Sequence, residues 1–198
     1  MKPILYSAQR CPYARRTRIV LREKRIDFDM YEVDLRNKSE EFLRVSPYGK
    51  VPVLVVNGTS LYESNIVNEY LDEVYKYPRL MPDNPEQRAL ARTWMAFANE
   101  YFFPAIYGAY MGYEREFSEE QVQEALEKLR KALLRLEHQL ENRQYLVGEY
   151  TLADVAHAGT FPRLRELADR GDAPLKQYPN VMAWVEQVES RESYKASV

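Results

Sequence analysis

The chain has one cysteine, two histidines and seven glycines in 198 residues, and it has no long apolar run. Each shortage excludes something. A single cysteine rules out an intramolecular disulfide and any metal site built from several thiolates. His138 and His157 have no partners at ligand spacing, so no metal is expected. No stretch reaches the length of a membrane span, and Met1-Lys2-Pro3-Ile4-Leu5-Tyr6 lacks the apolar core of a signal peptide. A cytoplasmic location with no membrane partner is therefore expected. Charge of one sign is also lacking: 28 Lys+Arg stand against 30 Asp+Glu, which leaves no basic footprint for nucleic acid. Cys11 is then either buried filler or a reactive thiol, and its surroundings must decide.

What is present has a clear order. Residues 3–7 read as a strand, followed after Cys11-Pro12 by a helical stretch through Arg22 that carries Ile19, Val20 and Leu21. Residues 28–33 alternate as a strand does. Ser39 can cap a short helix containing Phe42 and Leu43, which Ser46-Pro47-Tyr48-Gly49 ends. The β-branched run from Val51 to Val56 meets Asn57-Gly58, a two-residue hairpin signal, and Ser60-Leu61-Tyr62 can return as its partner. Ser64 opens a helix with Ile66, Val67, Tyr70, Leu71 and Val74 at helical spacing. The order β-α-β-α-β-β-α implies a mixed sheet with a right-handed first crossover.

Pro78, Pro82 and Pro85 mark an interdomain connector, and beyond it the strand signals stop. Apolar residues then recur at three and four over residues 85–113 and 118–142, as in Leu126, Leu129, Leu133, Leu136 and Leu140. Further helices are readable after Thr151 and over residues 181–188. Four or five helices would make up this half. The expected division is a mixed α/β domain over residues 1–77 and an all-helical domain over 86–198.

Cys11 follows a strand and precedes a proline suited to the first helical position. At such a helix N-terminus the free N–H groups and the positive end of the dipole favour thiolate over thiol, and Arg10, Arg15 and Arg16 add positive potential. Position 14, where a dithiol motif would carry its resolving cysteine, holds Ala14. A mixed disulfide formed at Cys11 would therefore need an external thiol, and glutathione is the abundant one.

The strand, Cys11-Pro12-Tyr13-Ala14, then Gly49-Lys50-Val51-Pro52-Val53-Leu54, Leu61-Tyr62-Glu63-Ser64, the proline-rich connector and the helices together resemble the cytosolic glutathione transferases. The cysteine-type omega class is the nearest, to which Asp34-Leu35-Arg36-Asn37-Lys38 and Glu69-Tyr70-Leu71-Asp72-Glu73 are also similar. The resemblance implies a thioredoxin-like N-terminal domain that binds glutathione, an all-α C-terminal domain, an active site between them and a homodimer. It implies a cis Pro52, with the Val51 backbone pairing with the cysteinyl part of glutathione. Glu63 and Ser64 would hold the γ-glutamyl end, Ser64 also capping the third helix, and Lys38 would pair with the glycyl carboxylate. Cys11 would be the nucleophile of glutathione-dependent thiol transfer or dehydroascorbate reduction.

Two other functions stay open. Bacterial stringent-starvation proteins, which bind RNA polymerase, resemble this pattern, and Leu80-Met81-Pro82 is similar to a segment of theirs. A conjugating transferase, in which Cys11 is only a glutathione contact, is the other. Thr151-Leu152-Ala153-Asp154 fits a capping box that makes Asp154 structural. Tyr101, Phe102, Phe103, Tyr107, Tyr110 and Tyr113 lie along one helix and serve either core or substrate pocket. Tyr6 is passed over as thiol activator in favour of the cysteine, and Glu114 to Glu120 reads as a solvated loop and helix start.

Overall fold

The computed structural model describes residues 2–114 and 117–197, without the side chains of Tyr113 and Glu114. Tyr113 as a candidate pocket ring, and Arg115 and Glu116 of the charged run, thus lie outside the described residues. The chain separates into two compact units, Met1–Met81 with Ser190–Val198, and Pro82–Glu189.

In the first unit, β1 (Ile4–Ser7) leads to α1 (Pro12–Glu23), β2 (Asp29–Glu32), α2 (Glu40–Val45), β3 (Val53–Val56), β4 (Thr59–Tyr62) and α3 (Ser64–Val74). The sheet order is β2-β1-β3-β4. Leu5 pairs in parallel with Met30 of β2 and antiparallel with Leu54 of β3, which in turn faces Leu61 of β4. This is a thioredoxin-like arrangement. Local chemistry sets its corners. The Ser39 hydroxyl accepts from Phe42 N at 3.2 Å to start α2. Asn57 and Gly58 take φ of 50° and 81°, the two left-handed residues that a tight β3–β4 hairpin needs. Leu5, Val53 and Leu54 of the sheet, Ile19 and Val20 of α1, and Val67 and Leu71 of α3 are fully buried.

Two packing features close this unit. Lys24, at the end of α1, donates to the carbonyls of Tyr75 and Pro78 and pairs with Asp72 at 2.8 Å, while Asp72 accepts from Leu80 N and Met81 N. The connector is thereby fastened to α1 and α3. The C-terminal segment carries α10 (Glu192–Lys195), which packs on α1.

In the second unit, Asn84 caps α4 (Pro85–Phe97) by accepting from Gln87 N at 2.9 Å, with Pro85 as the first helical residue. The helix passes through a π-helical turn at Ala98–Phe102 into α5 (Phe103–Glu114). Ser118 and Gln121 form a capping box for α6 (Glu119–Gln139). A Cβ on Gly112 would stand 2.7 Å from Val122 Cγ2, so glycine permits the close approach of α5 to α6. The single helix expected after Thr151 is two, α7 (Leu152–Ala158) and α8 (Phe161–Asp169), with Gly159-Thr160 between them and Pro162 in the first turn of α8. α9 (Pro179–Glu189) completes the unit. Among the described residues, no helix is long and apolar enough to cross a membrane.

Asp154 is the polar centre of this helical core. Its two carboxylate oxygens accept from Leu146 N, Thr151 N, the Thr151 hydroxyl and Trp184 Nε1 at 2.8–3.2 Å. Burial pushes its pKa up to about 6 against the pull of these donors. The folded-state value lies above the ordinary 3.8, so the folded protein binds this proton more tightly than the unfolded chain. That contribution is complete below about pH 4 and is lost as the pH rises through about 6. Asp154→Ala strands the donors and is expected to lower stability at pH 7 by roughly 3–5 kcal/mol in urea unfolding. The gap from wild type should widen as the pH is lowered from about 7 towards 4; a constant gap contradicts the shift.

Candidate active site

Cys11 stands where the chain turns from β1 into α1. Its N–H donates to the Ala8 carbonyl at 2.9 Å and its carbonyl accepts from Arg15 N at 3.0 Å, so it is the N-cap of α1, extended at φ −80° and ψ 119°. Pro12 is the first helical residue, where its missing N–H costs nothing. The sulfur makes no capping bond. It is half-buried and lies 3.9 Å from the Val51 carbonyl oxygen, and Cys11 packs against the buried cluster that includes Tyr6, Ala14, Phe42, Val51 and Val53.

The loop that presents Val51 is held from within. Ser46 donates its hydroxyl proton to Lys50 O at 2.9 Å and accepts from Lys50 N at 3.0 Å, while Gly49 N donates to Ser46 O at 3.0 Å. Gly49 turns the chain at φ 57°. Val51–Pro52 is cis, as the resemblance implies. Lys38 is exposed, and its ammonium stands 3.4 Å from where a Cβ on Gly49 would lie. Lys38, the loop, Val51 and Cys11 thus form one connected run.

At α3 the structure corrects one expectation. Ser64 does not cap the helix: Glu63 holds the N-cap position at φ 67°, without a side-chain capping bond, and Ser64 is the first helical residue. The left-handed conformation of Glu63 lets the chain leave β4 and enter α3 within a single residue. A non-glycine residue there is strained, and such strain collects at functional sites. Glu63 is exposed and Ser64 buried. Tyr13 links this helix start to Cys11. Burial raises the Tyr13 pKa, Arg16 opposes, and the charges of Cys11 and Glu63 raise it further.

Tyr6 and Ser7, the hydroxyl-bearing residues of β1, are engaged elsewhere. The Tyr6 ring stacks on Tyr31 and its hydroxyl donates to Glu41 Oε1 at 3.4 Å, while the Ser7 hydroxyl accepts from Arg18 at 2.6 Å. Arg16 is fully buried, its guanidinium 4.8 Å from the centre of the Tyr13 ring. Burial lowers its pKa to about 10, with Tyr13 and then Cys11 opposing the fall. Sequence reasoning missed Ser46 and Arg18. Arg18, seven positions past Cys11 in an arginine-rich helix, could have been singled out by its spacing of about two turns.

In the second unit the aromatic residues divide. Phe102 and Tyr110 are buried, and the guanidinium groups of Arg163 and Arg170 stand 5.7 and 5.4 Å from the centre of the Tyr110 ring. Tyr101 and Tyr107 are exposed, and Tyr107 stacks on Phe103. Tyr101, with Phe97, Lys128 and Arg135, lines a cavity of about 570 Å³ between the π-helical turn, α5 and α6. His157 is buried, with Nδ1 2.8 Å from the Ala153 carbonyl and its ring against Phe102 and Trp184. No group of three or more His, Cys, Asp or Glu able to hold a metal gathers among the described residues.

Comparison with known proteins agrees with this geometry. Residues 5–85 match the model of the glutathione S-transferase N-terminal domain, and residues 94–192 that of the C-terminal domain. Glutathione S-transferase U28 of Arabidopsis thaliana is 32% identical over 94% of this chain and 84% of its own. The stringent starvation protein A homolog of Coxiella burnetii is 30% identical over 98% of this chain and 90% of its own. Among solved structures, glutathione transferase Omega 3C from Trametes versicolor superposes with a TM-score of 0.90 at 28% identity, over 100% of this chain and 89% of that one. A glutathione S-transferase from Methylobacillus flagellatus, solved with glutathione bound, gives 0.87 at 31% identity, over 100% and 99%. A thioredoxin-like unit with Val51–Pro52 cis beside the start of α1, joined in one chain to a helical unit centred on Asp154, belongs to the glutathione S-transferase family.

Proposed function

We propose that the protein is a glutathione-dependent thiol transferase of the cysteine type, with Cys11 as nucleophile. The observation that carries this reading is the position of the only thiol in the chain: half-exposed at the N-cap of α1, with the Val51 carbonyl 3.9 Å away. The positive end of the helix dipole favours negative charge on that sulfur.

In the first step, the Cys11 thiolate attacks the glutathione sulfur of a mixed disulfide. The bond to the substrate sulfur breaks, that sulfur leaves as a thiolate, and a Cys11-glutathione disulfide remains. A second glutathione thiolate then attacks this disulfide at its glutathione sulfur, forming glutathione disulfide and restoring Cys11. With Ala14 where a resolving cysteine would stand, the reductant is the second glutathione, and the sum is a mixed disulfide plus one glutathione giving the substrate thiol and glutathione disulfide. Dehydroascorbate reduction draws on the same supply.

The γ-glutamyl end of glutathione would lie at the start of α3, its carboxylate on the N–H and hydroxyl of Ser64 and its ammonium on Glu63. Its cysteinyl part would pair with the Val51 backbone, and Lys38 would meet the glycyl carboxylate. Family membership further supports a homodimer, which sedimentation showing only monomer would remove.

Steady-state assays with glutathione and either a mixed disulfide or an aryl halide test the nucleophile. Cys11→Ala should lower disulfide reduction by at least about a hundredfold, and wild type should conjugate the halide weakly. Full disulfide reduction by Cys11→Ala overturns the assignment. Lys38→Gln should raise the KM for glutathione by about fivefold, the value of one exposed charge pair, with kcat little changed. An unchanged KM removes Lys38 from the site.

The Coxiella burnetii relative favours a second reading, a binding protein rather than an enzyme, because the match runs over 98% of this chain. Calorimetric titration separates the two: absence of glutathione binding by wild type supports the binding protein.

A further inference from the structure

Arg18 is buried and four of its N–H donors are engaged. Nη1 donates to the Ser7 hydroxyl at 2.6 Å and to the Ala8 carbonyl at 3.1 Å, Nη2 to the Gln9 carbonyl at 2.8 Å, and Nε to the Ser197 carbonyl at 2.9 Å. Three of these acceptors are consecutive residues of the turn that delivers Cys11. The Ala8 carbonyl also accepts from Cys11 N at 2.9 Å, so one oxygen joins the arginine to the backbone of the thiol residue. The fourth acceptor is in the C-terminal segment, which is itself fixed on α1. The Ser197 hydroxyl accepts from Arg15 Nε at 3.1 Å, Arg15 lies 4.5 Å from the centre of the Tyr194 ring, and Glu23 accepts from Arg191 and the Ser193 hydroxyl.

We infer that Arg18 is a positioning residue for Cys11, and that the C-terminal segment, through Ser197, completes the brace. The inference rests on the reading of Cys11 as nucleophile and adds to it what holds the sulfur in place. Only a planar guanidinium can span the turn and the C-terminal segment at once; a lysine ammonium supplies a single point and leaves carbonyls of the turn without their donor. Besides the Cys11–Ala8 bond, Arg18 ties Ser7, Ala8 and Gln9 to α1, so a loosened turn moves the sulfur relative to the Val51 carbonyl and to the start of α3. Misplacement by about 1 Å is enough to cost a reaction one to two orders of magnitude.

The only thiol of the chain makes the test specific, since iodoacetamide at fixed pH reads Cys11 alone. Four proteins are compared at matched folded fraction: wild type, Arg18→Lys, a chain ending at Ala196, and Glu23→Gln as a control that weakens the far end of the C-terminal segment without touching Arg18. Arg18→Lys is expected to change the alkylation rate constant by at least about fivefold and to lower kcat for thiol transfer by about tenfold, with the KM for glutathione within about twofold of wild type. The shortened chain should change in the same direction by a smaller factor, and Glu23→Gln should keep the wild-type alkylation rate. If Arg18→Lys does not fold, the shortened chain decides. A wild-type alkylation rate in both Arg18→Lys and the shortened chain overturns the inference, as does an equal change in Glu23→Gln. Full transfer activity in Cys11→Ala would instead remove the nucleophile reading, and the alkylation rates would still report whether Arg18 places the thiol.

Discussion

Arg15, Arg16, Arg18 and Lys24 are all withdrawn from water along α1, and the rest of the first unit is arranged around meeting their charge. A buried cation without partners costs several kcal/mol, so each one dictates what must stand opposite it. Lys24 takes the Asp72 carboxylate and the carbonyls of Tyr75 and Pro78, which fixes the end of α3 and the start of the connector. Arg18 takes the β1–α1 turn and the Ser197 carbonyl, and Arg15 takes the Ser197 hydroxyl and the Tyr194 ring. Arg16 lies over Tyr13. One helix thus sets four neighbours: the turn before it, the helix beside it, the connector and the C-terminal segment.

The candidate site is the N-terminal end of α1. Pro12 removes one N–H from the first turn, and the Cys11 side chain accepts none of the others. Those groups and the buried arginines behind them make a positive environment whose natural counterpart is an anionic sulfur or ligand. The strained Glu63 and the left-handed Gly49 bring two more backbone segments toward this end. The loop at Gly49 keeps its form through Ser46, whose hydroxyl meets both the N–H and the carbonyl of Lys50. Rigid backbone, rather than mobile side chains, therefore frames the sulfur.

Local signals made most of this legible in the sequence. Pro12 after Cys11 marked the helix start, Asn57-Gly58 the hairpin, Ser39 the cap of α2, and Thr151 to Asp154 the capping box, because in each the determining partner lies within a few residues. What escaped depends on distant partners. The bonds from Arg15 and Arg18 to Ser197 join residues 182 and 179 positions apart, so from the sequence Arg15 read only as positive potential near a thiol and Arg18 was missed, when both are buried struts. Ser64 read as a cap because serine favours that place; the tight exit from β4 instead gave it to Glu63. Gly159-Thr160 splits the run after Thr151 into α7, which is buried at every position, and α8, which buries Phe161, Leu164 and Leu167.

The Lys24–Asp72 pair also bears on the rival function. Leu80-Met81-Pro82 resembles a segment of the stringent-starvation proteins, and a surface motif of that kind could have signalled a shared partner. Leu80 and Met81 are buried, and their N–H groups are taken by the two oxygens of Asp72. Two apolar residues with these backbone bonds are what any chain of this fold needs in order to seat the connector between α1 and α3. The likeness there is explained by packing and carries no information about a partner. What separates an enzyme from a binding protein on this scaffold must then lie where the fold makes no such demand. A thiol at the N-cap of α1 is such a place, since the sulfur makes no capping bond and the backbone bonds of Cys11 do not depend on its side chain. Packing requires only a small residue there; a cysteine adds chemistry that the fold does not use.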